Sequence, residues 1–143
     1  MSLPQVVLEK YRRAGRIAAE VRGQMKRRVS EGMVVIDICE EAEGLIRKKG
    51  GKPAFPCNVS INDVTAHYTS PPGDKKTVPS SSVVKVDIGV HVDGYIADTA
   101  TTVCFNPEYE DLVTTAEEAL QAGIKTLRGG MFTSSFGSVV QKV

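Results

Sequence analysis

Two aspartates are the residues of this sequence whose types and spacing most clearly suggest chemistry. Asp87 and Asp98 lie in the stretch VVKVDIGVHVDGYIADTATTVC, residues 83–104, which is rich in β-branched side chains and therefore predicts strands. Between the two aspartates, Asp93-Gly94 predicts a tight turn, because glycine adopts the positive φ that a two-residue hairpin turn needs. The sequence thus predicts two antiparallel strands that each carry one carboxylate.

The length of the turn decides whether the two carboxylates share a face of the hairpin. A turn centred on Val92-Asp93 would place Asp87 directly opposite Asp98. A turn centred on Asp93-Gly94 would make the two aspartates diagonal neighbours instead. Both registers put the carboxylates on one face, roughly 5 to 8 Å apart. A three-residue loop would put them on opposite faces, so the inference depends on the turn.

Two ionised carboxylates at this separation repel each other, so either one takes up a proton or a cation lies between them. Carboxylates on rigid strands suit divalent metals such as Mg, Mn, Fe, Co or Zn. The alternative interpretation is that Asp87, Asp98 or both are solvated hairpin residues, since acidic residues are common near turns. The pattern of residues by itself leaves both interpretations open.

Two segments of the sequence together resemble one known family. Asp87-x-Gly89, followed by Gly94 and then by Asp98 with Thr-Ala-Thr-Thr-Val after it, resembles the first metal-ligand segment of the methionine aminopeptidases. Upstream, residues 53–69, PAFPCNVSINDVTAHYT, are similar to the type II branch, which is found in archaea and in the eukaryotic cytosol. The paired segments, in order and at a sensible spacing, are far more specific than either segment alone.

The resemblance covers essentially the whole chain, but only the front half of such an enzyme. It implies an α+β fold, the first half of a pita-bread fold, in which a curved antiparallel sheet is covered by helices on its outer face. Residues 1–143 are therefore expected to be a single, apparently truncated, N-terminal half of a metallopeptidase catalytic domain.

The resemblance also implies roles for four residues. Asp87 and Asp98 match metal ligands of a site for two divalent ions (Co, Mn, Fe or Zn), which further ligands of the later half would complete. His67 matches a catalytic, substrate-binding histidine, and an imidazole can donate to the charge that develops as an amide becomes tetrahedral. Phe55 matches a substrate-binding residue in the pocket for the methionine side chain. Without the resemblance, His67 and Phe55 are more simply interpreted as structural residues.

The implied function is the metal-dependent removal of the initiator methionine from peptides and nascent proteins. This chain alone is expected to be inactive or nearly so, because two carboxylates rarely hold a transition metal tightly. One alternative is a non-catalytic interaction protein of the same fold, and the presence of both aspartates and His67 argues against it. Another is a proline dipeptidase, although the His67 segment resembles the aminopeptidases more. A Mg²⁺ nuclease or phosphatase ranks last, because it usually needs more acidic residues and a basic face.

Composition fits an intracellular enzyme of one domain. The 143 residues are 41% hydrophobic, which is enough for a core, and the net charge of +1 indicates no nucleic-acid partner. No apolar run reaches the length of a membrane span and no signal peptide is visible, so the cytoplasm is expected. The three cysteines lack C-x-x-C spacing, which excludes a zinc ribbon and favours a reducing compartment. Cys39 and Cys104 are interpreted as core residues and Cys57 as incidental.

Hydrophobic periodicity predicts helices on both sides of the hairpin. Two precede it, over residues 4–30 and 36–49, and Ser2 is the expected cap of the first. A third begins at Asn106-Pro107 and ends at Gly129-Gly130. Its predicted core face consists of Leu112, Ala116, Ala119, Leu120, Ile124 and Leu127.

Three further expectations concern the surface and the end of the chain. Basic side chains on the outer face of the first helix could dock on an anionic surface such as a ribosome, although a solvated helix face is the more ordinary interpretation. A fourth helical pattern after residue 134 is still running at Val143, which favours a truncated chain. Removing half of a shared core would expose apolar surface and a sheet edge, so we expect the isolated chain to self-associate.

Overall fold

A long antiparallel hairpin is the centre of the protein. The computed structural model describes residues 3–143, and in this range the chain forms four α-helices and one sheet of four strands. In chain order these elements are α1 (Gln5–Arg28), α2 (Val35–Lys48), β1 (Lys52–Pro53), β2 (Asn58–Ile61), β3 (Val83–Val92), β4 (Tyr95–Cys104), a 3-10 turn (Pro107–Tyr109), α3 (Glu110–Thr126) and α4 (Thr133–Val140).

Strand β3 organises the sheet, because all three other strands pair with it and all pairings are antiparallel. Strand β4 pairs with β3 along its whole length on one edge. On the other edge, β1 pairs with the end of β3, where Lys52 lies opposite His91. Strand β2 pairs with the beginning of β3, where Asn58 lies opposite Asp87. The segment before the hairpin is thereby brought alongside the first aspartate.

A two-residue turn joins β3 to β4, as the dipeptide Asp93-Gly94 predicts. Val92 pairs with Tyr95, and the two residues between them have positive φ angles of 52° and 87°. This is the type I′ geometry, whose twist matches that of the strands it joins. The Gly94 N–H donates to Nδ1 of His91 at 3.1 Å, which closes the turn further. The turn therefore selects the second of the two registers considered above.

The hydrophobic core lies between one face of the hairpin and the first two helices. Alternate residues of β3 are buried there, as the period of two in a strand requires. Helix α1 contributes a stripe that includes Val21 and Met25, and α2 contributes one that includes Ile38 and Ile46. The predicted bounds of both helices agree with the structure to within two residues, but Ser2, the predicted cap, lies outside the described residues.

Residues 106–143 form a second compact unit of their own. Asn106 caps the 3-10 turn, since its Oδ1 accepts from the N–H of Glu108 at 3.0 Å, so the predicted helix start becomes a 3-10 turn that runs into α3. Helices α3 and α4 pack closely at Gly123, where a Cβ atom would lie 2.6 Å from the ring of Phe136.

The predicted core face of α3 is wrong for this structure. Four of its six residues are exposed large hydrophobic side chains, because α4 covers the helix only around Gly123. These four are Leu112, Leu120, Ile124 and Leu127. Within the described residues, no helix is both long enough and apolar enough to cross a membrane.

Candidate metal centre

Asp87 and Asp98 are diagonal neighbours on the face of the hairpin that is turned away from the core. Asp87 pairs with Ala100, and Asp98 pairs with Gly89, two residues further along β3. Side chains two residues apart on a strand point to the same face, so both carboxylates belong to one surface. Asp87 is half-buried and Asp98 is exposed. A shared face was expected, and the two-residue turn is the reason that it forms.

The electrostatics of this pair favour a positive charge or a proton between the carboxylates. Burial raises the pKa of Asp87 above its ordinary value, and the negative charge of Asp98 raises it further. Lys85 and His67 act in the opposite direction, but they do not reverse the shift.

One carboxylate oxygen of this pair is buried and has no protein partner. Oδ1 of Asp87 accepts no hydrogen bond from any described residue. Buried polar atoms in native proteins are rarely left in this state, because desolvation without a new partner costs free energy. A metal cation would satisfy this oxygen. Within residues 3–143, however, no group of three or more His, Cys, Asp or Glu side chains could hold a metal ion by itself. The pair therefore fits part of a metal site.

His67 lies in an irregular segment beside β2. A backbone hydrogen bond ties the segment to β2, from the N–H of Val59 to the carbonyl of Tyr68 at 2.9 Å. His67 itself has a left-handed φ of 62°, which is uncommon for a residue other than glycine and often marks functional sites. Since β2 pairs with β3 next to Asp87, this segment brings the imidazole to the carboxylate pair.

Phe55 reaches the same place from the loop between β1 and β2. The N–H of Ala54 donates to the carbonyl of Gly89 at 2.9 Å, which fixes the loop against β3. The ring of Phe55 then lies over Gly89, where any Cβ atom would overlap it. The glycine of the Asp-x-Gly motif thus allows an aromatic wall beside Asp87.

The four residues singled out in the sequence line one open cavity of about 450 Å³. Asn58 and Thr69 also line this cavity. They are hydrogen-bonded to each other, since Oγ1 of Thr69 donates to Oδ1 of Asn58 at 2.7 Å. Sequence reasoning gave these two no role, although both lie in the segment that carries the resemblance. The complete lining is Phe55, Pro56, Asn58, His67, Thr69, Asp87 and Asp98.

Hydrogen bonds to Asp74 hold the segment that contains His67 in place. Asp74 accepts from the hydroxyls of Tyr68 and Ser70 at 2.9 and 2.6 Å, and from the N–H of Lys76 at 2.9 Å. These bonds lower the pKa of Asp74, with the Ser70 hydroxyl contributing most. Nζ of Lys76 also lies 4.2 Å from the centre of the Tyr68 ring. The residue after His67 and the residues on both sides of Thr69 are therefore anchored.

Comparison with known proteins shows which family has this sequence. The sequence matches the metallopeptidase family M24 over residues 9–143. The chain belongs to metallopeptidase family M24. Its curated relatives include proteins named methionine aminopeptidase from Methanothermobacter thermautotrophicus, 42% identical over 95% of this chain and 46% of the relative, and from Methanocaldococcus jannaschii, 44% identical over 94% of this chain and 46% of the relative. A third, from Methanothermus fervidus, is 42% identical over 94% of this chain and 78% of that protein.

Solved structures show that this M24 chain has the fold of its family. A methionine aminopeptidase from Rickettsia prowazekii superposes with a TM-score of 0.86 at 22% identity, covering 99% of this chain and 60% of that one. A prolidase from Pyrococcus furiosus superposes with a TM-score of 0.83 at 20% identity, covering 97% of this chain and 42% of that one. The expected α+β, pita-bread class is confirmed. The M24 chain spans about half the length of most of the curated relatives described above.

Proposed function

We propose that this M24 chain is the N-terminal half of a methionine aminopeptidase, which removes the initiator methionine from peptides and nascent proteins. The observation that carries the proposal is the convergence of Asp87, Asp98, His67 and Phe55 on one cavity. It is supported by archaeal relatives at 39 to 46% identity that bear this name. Because the chain spans only part of those relatives, the activity is proposed for the parent protein.

In this proposal, Asp87 and Asp98 hold divalent metal ions. The partnerless Oδ1 of Asp87 and the mutual repulsion of the two carboxylates both favour a cation at this point. Bound divalent metals of the Co, Mn, Fe or Zn type would supply an activated water nucleophile and polarise the substrate carbonyl. Two carboxylates are too few ligands for tight binding, so we expect the remaining ligands from the rest of the parent protein.

His67 and Phe55 bind the substrate in this proposal. The left-handed backbone at His67, anchored through Tyr68 and Ser70, presents the imidazole at the rim of the cavity that holds the carboxylates. There it can donate a hydrogen bond to the oxygen of the reacting amide. The Phe55 ring is an apolar wall, and a thioether packs favourably against an aromatic edge. This suits a methionine side chain.

A proline dipeptidase is the competing function within the same fold. Prolidases and aminopeptidases of the same family superpose about equally well on this chain, so the fold does not separate them. The curated relatives favour the methionine enzyme, because they cover nearly all of this chain at much higher identity. A cytoplasmic location, contact with a ribosome and self-association remain predictions, and the exposed apolar side chains of α3 support the last of these.

Metal binding tests the proposed ligands directly. We would titrate Co²⁺ and Mn²⁺ into the chain and into Asp87→Asn/Asp98→Asn by calorimetry. The matched control is Asp93→Asn, which removes a carboxylate of the same hairpin that is instead paired with Lys10 at 3.1 Å. We expect weak binding that the double variant loses and the control keeps. Binding that survives in the double variant would contradict the assignment.

A chimera tests the substrate. The chain would be joined to the remaining part of its Methanocaldococcus jannaschii relative and assayed for methionine release from a Met-Ala-Ser peptide and for cleavage of an Xaa-Pro dipeptide. We expect methionine release that Asp87→Asn abolishes. A chimera that folds and binds metal but cleaves only the Xaa-Pro substrate would overturn the methionine assignment in favour of the dipeptidase.

A further inference from the structure

Two of the three cysteines meet in the interior, outside the candidate metal centre. Cys39 lies on α2 and Cys57 lies just before β2, and the two residues are 7% and 1% exposed. The Cys39 thiol donates to the carbonyl of Cys57 at 3.4 Å, across 18 residues of sequence. The two thiols are close enough for each to shift the pKa of the other. The sequence context of Cys57 suggests an incidental residue, but the structure places it in contact with a second cysteine.

An open cavity borders this pair. It has a volume of about 360 Å³, and both cysteines are part of its wall. Glu43, on the same wall, fixes the backbone at the second cysteine by accepting from the N–H of Cys57 at 3.1 Å. Pro56 and Thr69 line both this cavity and the one that holds the aspartates. A change at the thiols would thus reach the wall of the candidate site.

The pair has one thiol suited to react first. The neighbouring Cys57 thiol lowers the pKa of Cys39, although burial opposes this shift. The neighbouring Cys39 thiol, together with burial, raises the pKa of Cys57. Since the thiolate is the reactive form, these directions favour Cys39 as the thiol that reacts first and Cys57 as the one that follows.

We propose that Cys39 and Cys57 are an oxidation site that closes reversibly to a disulfide in the presence of hydrogen peroxide. The Cys39 thiolate attacks one peroxide oxygen and the O–O bond breaks, which gives a Cys39 sulfenic acid and hydroxide, and the hydroxide takes up a proton to become water. The sulfur of Cys57 then attacks the sulfenic sulfur, an S–S bond forms, and the second oxygen leaves as water with the remaining proton. In sum, two thiols and one peroxide give one disulfide and two waters, and a dithiol reductant reverses the reaction.

The disulfide would tie α2 to the loop that carries Phe55. Cross-linking these two points removes conformational freedom from the unfolded chain, so the oxidised form should be the more stable one. It would also hold Pro56 in place between the two cavities. The inference does not depend on the proposed aminopeptidase function, because it concerns thiols that take no part in metal or substrate binding.

Peptide mapping of the oxidised chain tests the proposal. Trypsin separates the three cysteines, since Cys39 lies on residues 29–47, Cys57 on residues 50–75 and Cys104 on residues 86–125. The folded chain would be treated with hydrogen peroxide, its remaining thiols alkylated, and the digest analysed by mass spectrometry with and without reductant. We expect a reducible link between the first two peptides and an alkylated Cys104.

Other outcomes of the mapping would overturn the proposal. These are a link that contains Cys104, alkylation of both Cys39 and Cys57 after oxidation, or oxidation of either one beyond the sulfenic state without a link. The mapping uses the wild-type chain, so its result does not depend on whether a cysteine variant folds. As a control, Cys104→Ala should form the same link, and its urea midpoint should rise on oxidation and fall again on reduction. A midpoint that does not change would contradict the predicted stabilisation.

Discussion

The ring of Phe55 lies against the backbone of Gly89, so closely that a Cβ atom at position 89 would overlap ring carbons. The Asp-x-Gly motif therefore has two separate physical roles. Its aspartate faces the second carboxylate, and its glycine leaves room for the aromatic wall of the cavity. This relationship leads directly to a prediction about position 89.

Gly89→Ala should destabilise the protein by roughly 1–3 kcal/mol, because the added methyl must push the Phe55 ring or the strand out of place. Urea unfolding followed by circular dichroism would measure the change. The matched control is Gly15→Ala on α1, where no atom lies within 4 Å of the new Cβ. There alanine should be neutral or stabilising by about 0.5–1 kcal/mol. Equal behaviour of the two variants would contradict the close contact.

Gly94→Ala should destabilise the hairpin through the backbone alone. Gly94 has a φ of 87°, and an added Cβ would meet no atom within 4 Å, so the cost is that of a left-handed backbone, roughly 1–2 kcal/mol. Gly94→Asn should lose less, because asparagine tolerates this conformation better. Unfolding by urea would rank the three proteins. If both substitutions were harmless, the type I′ turn would not be what fixes the register.

Asp74→Ala should lower stability at neutral pH and have less effect in acid. The hydroxyls of Ser70 and Tyr68 and the N–H of Lys76 hold the pKa of Asp74 below its ordinary value. A lowered pKa in the folded state means that the stabilisation is present above the unfolded pKa, about 3.9, and is lost as the pH falls through the folded value. The difference between wild type and variant in urea midpoint should therefore shrink between pH 7 and about pH 3.

An exposed aspartate provides the control for this pH experiment. Asp63 lies in the turn after β2, and Asp63→Ala should change the midpoint little at either pH. If the difference in urea midpoint between wild type and Asp74→Ala stayed constant or grew in acid, the hydrogen bonds of Asp74 would not depend on its ionised carboxylate. That result would remove Asp74 as the electrostatic anchor of the His67 segment.

Self-association of the chain should depend on the apolar side chains of α3. Leu120 and Ile124 are 48% and 50% exposed and lie one helical turn apart, so together they form a patch that favours burial against another surface. Leu120→Lys/Ile124→Glu should lower the mean sedimentation coefficient at high protein concentration without changing the net charge. The charge-matched control, Thr114→Lys/Gln121→Glu, alters exposed polar positions and should sediment as the wild type does.

Two local features of the sequence were enough to predict the hairpin and the helices that cover it. The dipeptide Asp93-Gly94 favours a two-residue turn because of its backbone preferences, and the turn by itself puts Asp87 and Asp98 on one face. The periodicity of α1 and α2 predicts their bounds closely, because each buries one continuous stripe. In α3 the same reasoning predicted a buried face that the structure leaves exposed, since periodicity shows which face is apolar and not what covers it.

Contacts between distant segments were decided only by the tertiary structure. Pairing of β2 with β3 puts Asn58 opposite Asp87, and the left-handed turn at His67 brings in the imidazole. The Cys39–Cys57 contact has no sequence signature, because it joins a helix to a loop across 18 residues. The sequence by itself determined the two carboxylates and the family, since these rest on residue identity, and it predicted the shared face for a two-residue turn. The cavity and the thiol pair needed the packed fold, because long-range pairing depends on how separate elements bury their surfaces together.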